Sequence, residues 1–345
     1  MKPQYFLLLL FASSMYWMYL LYKPFLLTFL IAALLAISTA KVQAYFTILT
    51  KSRLLGAIIN TFLLAVLFFV PLGYFLTNLT LELNHLDPTI ISKTIHTAKA
   101  FLIQPPQYLT FIKPYVGDIV SHIQLNNMAS RALSLAGAVG VYSAGFLKNT
   151  FLIIIFYFFA QYYGEAIVKF TKKIIKFSDN ESGLIIYELS SVMSTVFYSI
   201  LATAILEGAL FGIAVTYLGY NGLLYGIMYG FTSLIPVVGG VVMWLPFAFY
   251  ELSLGHMNEA IFISVYSIIV ISIIADTFIK PIIIKEINTR LIKSNVELNE
   301  LIIFFAIIAG LASFGFWGMI LGPAITSFFL ALIKLIEVKS NSIIE

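Results

Sequence analysis

Residues 222–250 read GLLYGIMYGFTSLIPVVGGVVMWLPFAFY, a run without a charged side chain that is broken near its middle by Ile235-Pro236-Val237-Val238-Gly239-Gly240. At about 1.5 Å of rise per residue, an unbroken helix of this length would overshoot the ~30 Å hydrocarbon core of a bilayer. One long tilted crossing would absorb the excess. A re-entrant helical hairpin explains both the length and the break. Either way the run belongs in lipid.

The whole chain agrees with that solvent. Of its 345 residues 61% are hydrophobic and 10% charged, and the mean hydropathy is +0.98. Soluble domains carry about a quarter charged residues, whereas a bilayer penalises charge and leaves apolar surface free. The fold class is therefore all-α, a polytopic helical membrane protein, because a helix satisfies its own backbone in lipid. The net charge of +4, with Lys and Arg scattered between apolar runs, argues against nucleic acid as a partner. Cysteine is absent, which excludes disulfides, thiolate metal sites and a cysteine nucleophile.

Outward from the opening run lie about eight hydrophobic segments: 5–22, 25–40, 57–79, 150–163, 194–218, 222–250, 260–279 and 301–336. The first two are read as separate crossings joined by a tight turn at Lys23-Pro24, not as a cleaved signal, since no small-residue cleavage box follows. The layout divides into N-terminal membrane helices (1–79), an extramembrane amphipathic insert (80–148), a fourth crossing with a basic juxtamembrane helix (149–193), a motif-rich core (194–336) and a tail (337–345). The last apolar run repeats the peculiarity of 222–250. It is too long for one crossing and is interrupted by Phe314-Gly315-Phe316-Trp317-Gly318 and Gly322-Pro323.

Loop charge decides between tilt and hairpin, because short loops rich in Lys and Arg stay cytoplasmic. With the N-terminus and Lys41, Lys51 and Arg53 inside, a single crossing at 222–250 would strand Lys280, Lys285, Arg290 and Lys293 outside. Two re-entrant hairpins restore the rule and put both termini in the cytoplasm. They also make an inverted repeat, a crossing plus a hairpin entering from outside and then a crossing plus a hairpin entering from inside, as secondary transporters use around a midplane site.

Little in the membrane can do chemistry. His85, His96, His122 and His256 all fall in extramembrane segments, so a zinc-protease helix is excluded and a Ser-His dyad disfavoured; no enzyme, metal or cofactor is expected. Glu207 stands deep in an apolar helix, where a carboxyl is neutral, paired or facing water and is a candidate proton or cation carrier; the bland alternative is a protonated Glu bonded to a neighbour. Asp276 and Lys280 share a helix face as an ion pair. Pro281 has no N–H for the Thr277 carbonyl, which adds a free acceptor beside Asp276. Gly208/Gly212, Gly222/Gly226/Gly230 and Gly318/Gly322 are spaced by four and predict close backbone packing.

The order Glu207-Gly208, Gly219, Leu234-Ile235-Pro236-Val237-Val238-Gly239, Asp276 with Pro281, Gly310, Phe314-Gly315, Gly318 and Leu321-Gly322-Pro323 resembles the autoinducer-2 exporter family of permeases. The resemblance covers most of the chain. It implies transport at the cytoplasmic (inner) membrane by a homo-oligomer, with export of a furanosyl signal in some members and sodium or lithium exchange for protons in others. An acid at Glu207 and Thr277 after Asp276 depart from the usual pattern. The leading expectation is a secondary transporter or exporter of a small polar solute, and the alternative is a monovalent cation/proton antiporter. A passive pore or a membrane scaffold is the reading from another class. Glu207, Asp276, Thr277 and Lys280 are the coupling or solute-contact candidates. Pro236, Gly239, Gly240, Pro281, Gly315, Gly318, Gly322 and Pro323 are the helix-break motif.

Overall fold

The structure, a computed structural model, describes residues 3–85, 88–104, 128–175, 179–235, 238–287, 289 and 300–344. Every regular element among them is helical. In chain order these are α1 (Pro3–Tyr22), a 3₁₀ turn (Lys23–Phe25), α2 (Leu26–Ser38), α3 (Ala40–Thr50), α4 (Arg53–His85), α5 (Pro88–Ile103), α6 (Met128–Ile175), α7 (Asp179–Tyr217), α8 (Gly222–Thr232) and α9 (Gly239–Leu254). Then follow α10 (Met257–Tyr266), a π-helical stretch (Ser267–Ile279), α11 (Lys280–Glu286), α12 (Glu300–Phe314), a 3₁₀ turn (Gly315–Trp317) and α13 (Gly318–Ile344).

Among the described residues six helical runs are long and apolar enough to span a bilayer: Gln4–Ser38, Arg53–Asn78, Ala144–Lys173, Ile186–Tyr217, Met257–Glu286 and Leu301–Ile333. The first merges two segments that the sequence reading kept apart. Pro24 occupies the opening turn of a helical segment, where its missing N–H costs nothing and its fixed φ suits a helix, so Lys23-Pro24 does not make the tight turn. Accordingly α1 does not pack back along α2, and all its large side chains from Tyr5 to Tyr22 are exposed, as lipid-facing residues are. The stretch read as an insert begins inside α4, continues as α5 and ends inside α6, which also holds the 150–163 crossing and the basic stretch up to Lys173.

The chain forms two compact units. Unit 1 comprises Met1–Ala65, Phe146–Ser194 and Val296–Glu345. Within it α12 and α13 lie antiparallel, Gly310 meeting Gly318 and Ala306 meeting Gly322 backbone to backbone. Gly315, at φ +65°, makes the reversal that a side-chain-bearing residue resists. The 301–336 run therefore folds back on itself. Pro323 lies inside a continuous α13, whose one missing N–H is the cost of that continuity.

Unit 2 comprises Val66–Gly145 and Thr195–Asn295. Here α7 turns at Gly219 (φ +88°) into α8, and their glycines interlock: Gly208 against Gly226, Gly212 against Gly222 and Gly226, and Gly230 against Ala204. Asn221 caps α8 by accepting from the Leu224 N–H. α8 reverses into α9 around a core of Phe211, Ala214, Val215, Tyr229, Met243, Phe247, Ala248, Ile263 and Ile271. α9 reverses again at Gly255 (φ +92°), where exposed His256 Nδ1 lies 2.9 Å from buried Glu251 Oε2. Burial and the adjacent Glu251 side chain push the Tyr220 hydroxyl well above the usual phenol range. α5 packs along α9 through Phe101–Phe249 and Thr94–Ser253.

Candidate functional site

The candidate site lies in unit 2 and is assembled by two helices. α7 carries Glu207 on the side that faces the core, and the glycines at 208 and 212 let α8 approach closely beside it. The π-helical stretch and the start of α11 carry Asp276 and Lys280. The three side chains meet: Lys280 Nζ lies 3.5 Å from Glu207 Oε1 and 3.2 Å from Asp276 Oδ1. Glu207 is 5% exposed, so its charge is answered within the protein rather than by solvent.

The π-helical stretch shapes the site by its hydrogen-bond register. The Lys280 N–H bonds to the carbonyl of Ala275, five residues back. Pro281, the next residue, stands in the first turn of α11 and has no N–H to give to the turn before it. Thr277 itself is exposed.

Tyr229 was not legible as a member of this group. It is buried in α8, stacks on Phe211 at 4.6 Å between ring centroids, and lies within electrostatic range of Glu207 and Asp276. Its hydroxyl stands 2.5 Å from where a side chain on Gly240 would begin, which explains the glycine. Gly239 lies against the backbone of Thr232 and Ser233, where only a hydrogen fits. Pro236 lies outside the described residues. Gly315, Gly318, Gly322 and Pro323 belong to unit 1 and serve the α12/α13 reversal.

What the arrangement can do follows from charge. Two carboxylates and one ammonium sum to −1, so the cluster reaches neutrality by gaining one proton or one monovalent cation. Lys280 lies within ion-pair distance of both carboxylates. Among the described residues no group of three or more His, Asp or Glu side chains could hold a metal ion.

Comparison with known proteins bears on what this centre belongs to. Residues 5–337 match the family described as AI-2E family transporter. The chain is 36% identical over 341 residues to a Helicobacter pylori protein named "Putative transport protein", covering 98% of this chain and 97% of that protein. A counterpart from a second strain of the same species is 36% identical over 342 residues, covering 98% and 96%. An Aquifex aeolicus protein of the same name is 25% identical over 197 residues, covering 56% of this chain and 53% of that one. A multi-pass helical membrane chain that matches the family almost end to end is a member of it: this protein belongs to the AI-2E transporter family and is a membrane transport protein.

Proposed function

We propose that the protein is a secondary transporter of a small polar solute, working as an exporter at the cytoplasmic membrane, and that Glu207, Asp276 and Lys280 form its coupling centre. The observation that carries the proposal is the pairing of a 5%-exposed Glu207 with Lys280 at 3.5 Å. A group so placed exchanges a proton or cation only when something displaces its partner, which is what coupling requires. Helix lengths support the hairpin expectation: α8 and α9 span about 16 and 24 Å, each short of the ~30 Å core. An overlong run made of two short reversing helices suits entry from and return to one face, with both termini cytoplasmic and the homo-oligomeric assembly that the family resemblance implies.

The second reading, monovalent cation/proton antiport, draws on the same charge sum, since one sodium or one proton neutralises the cluster. Purified protein in liposomes separates the readings. Coupled export shows solute movement that depends on an imposed ion gradient, whereas antiport collapses a pH gradient on addition of sodium without any solute. Glu207→Gln abolishes either coupled flux while the protein remains folded. Unchanged coupled flux in that variant would remove Glu207 from the mechanism. Conduction without coupling would indicate a passive pore, and no flux at all a scaffold.

A further inference from the structure

Unit 1 contains a buried polar seam that the coupling centre does not use. It begins at the surface, where Glu165 pairs with Arg53. Arg53 Nη2 donates to the Gln161 carbonyl at 3.2 Å, and Gln161 Nε2 donates to Thr39 Oγ1 at 2.8 Å. Thr39 gives its one hydroxyl proton to the Leu35 carbonyl at 2.8 Å, so in the 2.6 Å contact between Thr39 and Tyr157 the tyrosine is the donor. From the other side Gln43 Nε2 donates to the Arg53 carbonyl at 3.3 Å. One connected network therefore runs from an exposed carboxylate to Tyr157, whose exposure is 0%.

The helical repeat shows that these residues form stripes. Arg53, Ala57, Asn60 and Leu64 share one face of α4; Thr150, Ile153, Tyr157 and Gln161 share one face of α6; Thr39 and Gln43 are one turn apart at the α2–α3 junction. Four polar atoms on these stripes are buried without a hydrogen-bond partner: the acceptor Gln43 Oε1, the donors Arg53 Nε and Asn60 Nδ2, and the hydroxyl of Thr150. Gln43, Asn60 and Thr150 are themselves more than nine-tenths buried. Unsatisfied groups of this kind in a membrane bundle are costly, and those that persist mark a ligand or water.

The chemistry of the ligand follows from what is unpaired. Glu165 and Arg53 already neutralise each other, so the seam offers no spare carboxylate to a cation and no spare charge to an anion. An ammonium could not accept from Arg53 or Asn60, and a carboxylate could not donate to Gln43. Only a neutral group that both gives and accepts a hydrogen bond suits donors and acceptors mixed among these stripes. We propose that this seam is a binding track for neutral hydroxyl groups, supplied by resident water or by a polyol, and separate from the charged centre of unit 2.

The full-length protein in nanodiscs provides the test, with ribitol as the polyol probe and Asn60→Leu as the variant. If polyol hydroxyls enter the seam, ribitol at several times its dissociation constant raises the melting temperature of the native protein by about 2–4 °C. Asn60→Leu loses that increment while keeping the nonspecific effect of any osmolyte. If water occupies it, ribitol acts equally on both proteins, but radiolytic hydroxyl labelling marks Tyr157, which bulk solvent does not reach, and the mark is lost in Asn60→Leu. A melting temperature with no selective response, together with an unlabelled Tyr157 or one labelled equally in both proteins, overturns the proposal and leaves the seam as dry interhelical bonding. Gln43→Met repeats both arms should Asn60→Leu fail to assemble. Neither readout involves transport, so the result stands whether or not Glu207 proves to couple flux.

Discussion

Two overlong apolar runs, each broken by glycine and proline, fold back on themselves by different means. In unit 1 the reversal of α12 into α13 is closed by missing side chains: Gly310, Gly318 and Gly322 bring the two backbones into direct contact, and no charged residue stands in α12 after Glu300 or in α13 before Lys334. In unit 2 the reversal of α8 into α9 is filled instead by aromatic rings, Tyr229 against Phe211 and Tyr225 and Tyr220 edge-on to Phe247. The glycines of α8 are spent on α7, not on its hairpin partner, and draw α8 close to the helix that carries Glu207. One sequence signature thus encodes two kinds of packing. A hairpin closed by glycine has no tolerance for added volume, and one filled by rings has none for lost volume.

The comparison is broken most forcefully at Gly318. A β-carbon there meets the Gly310 carbonyl, which is backbone and cannot swing aside. Gly318→Leu is therefore expected to cost about 3 kcal/mol or more and to separate α12 from α13, read as a lower melting temperature in detergent. A melting temperature equal to that of the native protein would show that the backbone contact is not what closes the hairpin. The complementary change is Phe247→Ala, which empties the ring cluster shared by Tyr220, Tyr225 and Phe211. It should cost about 3 kcal/mol through the cavity left behind, while the corresponding loss of a ring at Phe316, which is only half-buried against Phe146 and Trp317, costs less. If the two truncations cost the same, the distinction between the hairpins fails.

The fold was legible where lipid alone dictates it and obscure where neighbours do. Composition sufficed for the all-helical membrane class, and the breaks at Gly239-Gly240 and Gly315 were visible as interruptions of uncharged runs. The continuity of α1 into α2 was not, because Lys23-Pro24 looks like a turn to any rule that treats proline as a helix breaker, and its harmless first-turn position depends on where the helix begins. Glu207, Asp276 and Lys280 were each conspicuous as charge in an apolar setting, but only the Asp276–Lys280 contact follows from spacing. The bond from Lys280 to Glu207 joins residues 73 apart, and no local pattern encodes it. The polar seam stayed hidden for the same reason. Thr39, Gln43, Asn60 and Gln161 are unremarkable singly, and only the packing of α3, α4 and α6 makes them a group.

The smallest expected effect tests how finely the helix register divides function. Asp276 and Thr277 are adjacent, yet the former joins Lys280 while the latter is exposed. Thr277→Val keeps the shape of the side chain and removes only its hydroxyl. Stability should change by no more than about 0.5 kcal/mol, as for an exposed substitution away from any network, and coupled flux in liposomes should match the native protein. Asp276→Asn at the next position should abolish that flux. A Thr277→Val variant that also lost it would mean that the hydroxyl faces the transported species during the cycle.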